Sequence, residues 1–67
     1  MTPVLFVDGD ERLRRLALER GLRVVDDPRA LGWLLVEYGA RPPALLLEDG
    51  LLTGGEAERW LLAEEQE

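Results

Sequence analysis

Cysteine, histidine, lysine, serine, asparagine and isoleucine are all absent from this chain of 67 residues. Without cysteine there is no thiol nucleophile and no disulfide, and without cysteine and histidine together there is no Cys/His zinc site, haem ligand or imidazole base. The missing lysine excludes a Schiff base. No cofactor and no metal are therefore expected. A domain this small buries only about 60% of its unfolded surface, and small domains usually need a staple. With disulfides and Cys/His metal sites excluded, stability has to come from leucine packing, ion pairs or a second subunit. No apolar run approaches a membrane span, and the amino terminus lacks a basic-then-apolar signal pattern, so a cytoplasmic location is expected.

What is present favours folding. Hydrophobic residues make up 46% of the chain and charged residues 33%, a balance unlike that of disordered segments. All 8 basic residues are arginine, and the net charge is -6. That sign argues against nucleic acid and anionic membrane as partners. The charge is unevenly placed. Residues 1–43 carry seven acids and seven arginines and sum to zero, whereas residues 44–67 carry seven acids against Arg59 alone. This reads as a solvated last helix with a frayed acidic tail over 62–67. Leucine and arginine in place of isoleucine and lysine suggest a GC-rich genome, and the lack of asparagine suits a thermophile-like composition.

The chain parses as one domain over 1–67, without linker or repeat. Pro3-Val4-Leu5-Phe6-Val7 is an apolar run stopped by Asp8-Gly9, and reads as a buried strand. Asp10 is an N-cap, with Glu11 facing the helix dipole, and Gly21 closes a helix whose inner face holds Leu13, Leu16, Ala17 and Arg20. Glu11–Arg15 and Arg15–Glu19 are i,i+4 pairs on its outer face. Leu22 to Val25 is a second strand, parallel to the first. Asp27-Pro28 starts the next helix, with Leu31, Leu34, Leu35 and Tyr38 as its buried stripe and Gly39 as its end. Gly32 within it costs about 1 kcal/mol relative to alanine. Arg41-Pro42-Pro43 cannot be helical. Ala44 to Leu47 is a buried strand, Asp49-Gly50 a hairpin turn, and Leu51 to Thr53 the returning strand. Gly54-Gly55 breaks it, and a last helix runs from Glu56 to about Glu64 with Ala57, Trp60 and Leu61 on one side.

This order is β-α-β-α-β-β-α. The run Tyr38-Gly39-Ala40-Arg41-Pro42-Pro43-Ala44-Leu45-Leu46-Leu47-Glu48-Asp49-Gly50, followed by Gly54-Gly55 and a helix, resembles the thioredoxin/glutaredoxin superfamily over about residues 25–62. In that family a helix ends in Tyr-Gly, a cis-proline loop enters the third strand, an Asp-Gly or Asn-Gly turn follows, and a glycine precedes the last helix. The resemblance implies a small α/β, thioredoxin-like (glutaredoxin-like) domain with a mixed four-stranded sheet, and a cis peptide bond at Pro43. It departs from the family where redox chemistry resides. Redox members open the first helix with Cys-x-x-Cys or Cys-x-x-Ser, and here the segment reads Asp8-Gly9-Asp10-Glu11-Arg12-Leu13. Thiol–disulfide exchange is thus impossible. What the resemblance leaves is a peptide-binding groove comprising Asp8, Gly9, Asp10, Arg41, Pro42, Pro43, Gly54 and Gly55. The backbone of Thr53-Gly54-Gly55 also suits a carboxylate such as that of glutathione, but Glu56 and Glu58 at the same terminus oppose it.

A second reading comes from the first half, where Val4 to Arg14 is similar to the opening strand and acidic cluster of a response-regulator receiver. Leu45-Leu46-Leu47-Glu48-Asp49 would then be the phospho-acceptor strand. That chemistry needs an adjacent acid pair for Mg²⁺, an acceptor aspartate and a later lysine. Gly9 interrupts the pair and lysine is absent, so Asp8, Asp10 and Asp49 read better as cap and turn residues. Trp33 and Trp60 are candidates for a core edge or an interface. The arginines between Arg12 and Arg23 could face the acidic last helix of another copy. The expectation is a non-catalytic, redox-inactive binding module, not an enzyme, with a protein or peptide partner or a second copy of itself. The alternative is a degenerate receiver-like signalling domain.

Overall fold

Four short strands and three helices make up the computed structural model of the chain, which describes residues 2–65. In chain order these are β1 (Val4–Phe6), α1 (Glu11–Glu19), β2 (Arg23–Val25), α2 (Pro28–Tyr38), β3 (Ala44–Leu47), β4 (Gly50–Thr53) and α3 (Gly54–Glu65). This is the order that the sequence pattern predicts. The strands lie as β2-β1-β3-β4. β1 runs parallel to β2 and antiparallel to β3, and β3 and β4 form an antiparallel hairpin. The protein is thus a small α/β domain with a mixed four-stranded sheet. None of the helices among the described residues is long and apolar enough to cross a membrane.

The register sorts the strand side chains onto two faces. Leu5 stands opposite Val24 on one side and Leu45 on the other, and Leu45 stands opposite Leu52. All four belong to the cluster that α1 and α3 cover with Leu13, Ala17, Ala57 and Leu61. One residue along, Val4 stands opposite Leu46, and Leu46 opposite Leu51. These join Phe6, Val25 and Ala44 on the other face, under Leu34 of α2. A shift of register by one residue would exchange the faces of a whole strand, so both clusters enforce the same pairing.

Each helix is set by its own sequence. Asp10 caps α1, its carboxylate accepting the Leu13 N–H at 3.1 Å. Asp27 does the same for α2, accepting the Ala30 N–H at 3.2 Å, with Pro28 in the first turn. Gly39 closes α2 in the left-handed conformation at φ 63°. Leu13, Leu16 and Ala17 of α1, and Ala57, Trp60 and Leu61 of α3, repeat one i, i+3, i+4 spacing, which places them on the sheet side.

The structure corrects several expectations. Of the stripe expected on α2, Leu34 is fully buried and Leu31 partly so, but Leu35 and Tyr38 are 45% and 48% exposed. The sheet is narrow and α2 is alone on its face, so it is covered along Ala30, Leu31 and Leu34, with Trp33 stacked on Phe6 at the flank. The hairpin turn lies one residue early, because Gly50 already pairs with Leu47 and leaves Glu48-Asp49 as the turn. Glu11 pairs at 3.5 Å with Arg14 instead of Arg15, and Arg14 also reaches Asp26, just past β2, at 3.9 Å. The acidic tail expected over 62–67 is helical as far as Glu65, and its last two residues lie outside the described residues.

Leu45 is fully buried at the centre of the sheet, whereas Leu18 on α1 is 53% exposed. Leu45→Ala is therefore expected to lower unfolding free energy by about 2–5 kcal/mol, a large share of what a domain of this size has. Leu18→Ala is expected to stay within about 0.5 kcal/mol of the parent. Urea titration followed by circular dichroism distinguishes the two.

Candidate functional site

Two strand pairings gather the expected groove residues at one end of the sheet. Because Phe6 stands opposite Ala44, the chain leaving β1 through Val7 and Asp8 passes beside Pro43 and Pro42 as they enter β3. Because Ala44 also stands opposite Thr53, the start of α3 arrives on the other side of the same prolines. A hydrogen bond ties that junction: the Gly54 N–H donates to the Pro43 carbonyl at 2.9 Å. Asp8-Gly9-Asp10, Arg41-Pro42-Pro43 and Gly54-Gly55 are thus neighbours, two loops and the first turn of α3, which begins at Gly54 and not at Glu56 as expected, although the sequence separates the first from the last by more than forty residues.

The local backbone explains why these residue types occupy the loops. Gly9, at φ 79°, turns the chain from β1 into α1 in a conformation that a side chain would resist. Asp10 then spends one carboxylate oxygen on its cap, and its carbonyl accepts the Arg14 N–H at 3.0 Å. The Pro42–Pro43 peptide bond is cis, as the family resemblance implies. Neither proline carries an N–H, so apart from Arg41 this loop presents only acceptors to anything lying along it.

The charge around these loops is mixed. Asp8 and Arg41 are exposed. Arg59 lies back over Gly55, its guanidinium 3.4 Å from where a Cβ at that glycine would stand. Beside the loops, Arg12 in the first turn of α1 bonds Glu58 of α3 at 2.5 Å. This hydrogen bond, with the attraction of the same carboxylate, raises the proton affinity of the Arg12 guanidinium above its ordinary value. Both side chains are solvent-exposed, so the pair orients the two helix ends and adds little stability. It also places an arginine of α1 against the acidic last helix within a single chain, where the sequence suggested a contact between copies.

The chemical inventory of the site is short. The site holds no thiol, imidazole, lysine amine or serine hydroxyl, since the chain has none. Among the described residues no group of three or more acidic side chains is placed to hold a metal ion. The carboxylate of Asp10 is occupied as a cap, which leaves a largely exposed surface of backbone edges flanked by charges of both signs.

The two tryptophans do not belong to one surface. Trp33 stacks on Phe6, with ring centroids 6.0 Å apart, and meets Tyr38 edge-on at 5.6 Å, yet is 45% exposed. Trp60 packs against the cluster under α1 and α3 and lines a shallow concavity with Pro3, Leu47, Glu48 and Asp49. That concavity is at the hairpin turn, the end of the sheet opposite the three segments. Sequence reasoning overlooked Arg59, although its i,i+4 spacing from Gly55 was visible. It could not have found the Arg12–Glu58 pair, which depends on two helices meeting across 46 positions. No family model, curated protein or solved structure matches the chain.

Asp10→Ala removes the cap at the centre of this site. It is expected to cost about 1 kcal/mol, whereas Asp10→Asn, an equally good cap, should cost little. Chemical denaturation of the three proteins side by side checks this. Equal losses for both variants would mean that the carboxylate charge, not the cap, stabilises the first turn.

Proposed function

We propose that this chain is a thioredoxin-like (glutaredoxin-like) domain without thiol chemistry, acting as a non-catalytic module that binds a protein or peptide partner. The observation that carries this reading is the meeting of two loops with the first turn of α3, with Gly54 bonded to Pro43 and the chain leaving β1 alongside. The strand order and the antiparallel β1–β3 pairing support it, as do the placement of α1 and α3 opposite α2 and the proline loop before β3. An extended segment laid against these loops meets acceptors from the proline loop and side-chain charges from Asp8 and Arg41. Main-chain hydrogen bonding of this kind gives affinity, while flanking side chains give selectivity.

The receiver-like reading needs a parallel neighbour on each side of the first strand. The antiparallel β3 disfavours it, as does the absence of lysine. An enzyme built on carboxylates alone needs two acids sharing an enclosed pocket, and the acids here serve as caps, turn residues or exposed partners.

The test is a peptide selected from a random display library against the full chain, with its contacts mapped by amide chemical shifts. Perturbations are expected at Asp8 to Asp10, Arg41, Gly54 and Gly55. Arg41→Ala is expected to weaken binding about tenfold, the scale of one charge-assisted hydrogen bond. Glutathione added alone should leave these shifts unchanged, because Glu56 and Glu58 flank the α3 terminus. Perturbations confined to the hairpin turn or to α2 would overturn the reading.

A further inference from the structure

The uncovered sides of α2 are unlike the other outer surfaces. Among the described residues the exposed large hydrophobic side chains are Leu18, Trp33, Leu35, Val36 and Tyr38, and all except Leu18 lie on this one helix. Val36 is 82% exposed. A helix with apolar residues on both sides is normally covered on both sides, and α2 is covered on one. Gly32 points the same way. It sits mid-helix with ordinary φ, and a Cβ there would meet nothing within 4 Å. Nothing inside the chain requires a glycine at that position, although it weakens the helix. A glycine there leaves room for a second body to approach the helix axis closely.

The charges say what that body is. Arg29 and Glu37 are the only charged residues of α2, one near each end, and both are exposed. Among the described residues neither makes an ion pair. They are eight positions apart, about 12 Å along the axis, with Trp33 midway. Two copies of the helix laid antiparallel about a two-fold axis near Trp33 bring each Arg29 toward the Glu37 of the other. The same placement brings the open part of the Trp33 indole, which stacks on Phe6 within its own chain, to the seam beside Gly32 of the other. This is the self-complementary pattern that an isologous interface needs. The remaining acid excess is carried elsewhere, in residues 44–67, so the neutral α2 face is where two chains of net charge -6 repel least.

We infer that α2 is the interface of a symmetric homodimer, joined antiparallel through Gly32, Trp33 and Val36 and framed by reciprocal Arg29–Glu37 pairs. An α-helix of 11 residues is about 16 Å long and offers less than the roughly 800 Å² per partner of a standard interface. The dimer is therefore weak and depends on concentration. This inference names the second copy among the partners of the proposed binding module, and it uses a face separate from the three segments of the groove.

Sedimentation equilibrium of the full chain over a concentration series tests it. The mass is expected to rise from 7.6 kDa toward twice that value. Arg29→Glu is expected to weaken association about tenfold, because both pairs become like-charged, and the double variant Arg29→Glu/Glu37→Arg restores it. Gly32→Leu gives a second, independent readout: a bulky side chain at the close approach should abolish association, while Leu18→Ala on α1, whose side chain is exposed, should leave it unchanged. A monomeric mass throughout the series overturns the inference. So does association unaffected by Arg29→Glu, or association lost with Leu18→Ala and kept with Gly32→Leu. A monomer that still binds peptide at the three segments would overturn the dimer alone, and a dimer that binds none would overturn the groove alone.

Discussion

The antiparallel pairing of β1 with β3 is the constraint on which the rest of the molecule depends. β1 is three residues long, yet it has a strand on each side, and its Leu5 is completely buried between Val24 and Leu45. Direction matters as much as adjacency. Because β3 runs opposite to β1, the exit of β1 and the entry of β3 fall at the same end of the sheet. The hairpin then returns β4, and with it the start of α3, to that end. Reversing β3 would send the proline loop to the far end and separate it from Asp8 to Asp10.

Stability and site geometry are therefore two results of one packing arrangement. The alternation along β1 and β3 divides a small apolar inventory between two faces, and small residues at Ala17, Ala44 and Ala57 are buried completely. Such side chains let elements approach closely where a short chain has few large ones to spend. The face under α1 and α3 is the better covered. The face under α2 is covered by Ala30, Leu31 and Leu34 and by Trp33 stacked on Phe6, which leaves aromatic and aliphatic groups of α2 partly in solvent. A chain of this length with no disulfide gains most from covering them.

Much of this was legible in the residues. Asp10 and Asp27 announced their helices, Gly39 and Gly9 marked turns, and the runs at Val4 to Val7 and Ala44 to Leu47 marked strands. The loops of the candidate site were legible through the family resemblance, which tied Pro43 and Gly54-Gly55 to positions in a fold. Exposure on α2 was not legible, because Leu35 and Tyr38 have the helical spacing of a buried stripe. Whether such a stripe is covered depends on the width of the sheet below it, and a sequence does not display that width. The Arg12–Glu58 pair was hidden for a similar reason, since it exists only once α1 and α3 share a face. Arginine-rich α1 and acidic α3 suggested contact between copies because complementary charge alone does not say which chain supplies the partner.

The direction of β3 beside β1 in solution is read most directly from cross-strand nuclear Overhauser contacts on isotope-labelled protein. Contacts are expected linking Val4 to Leu46, Leu5 to Leu45 and Phe6 to Ala44, together with a slowly exchanging Gly54 amide bonded to Pro43. Contacts that advance in the same direction along both strands, with a freely exchanging Gly54 amide, would contradict this pairing.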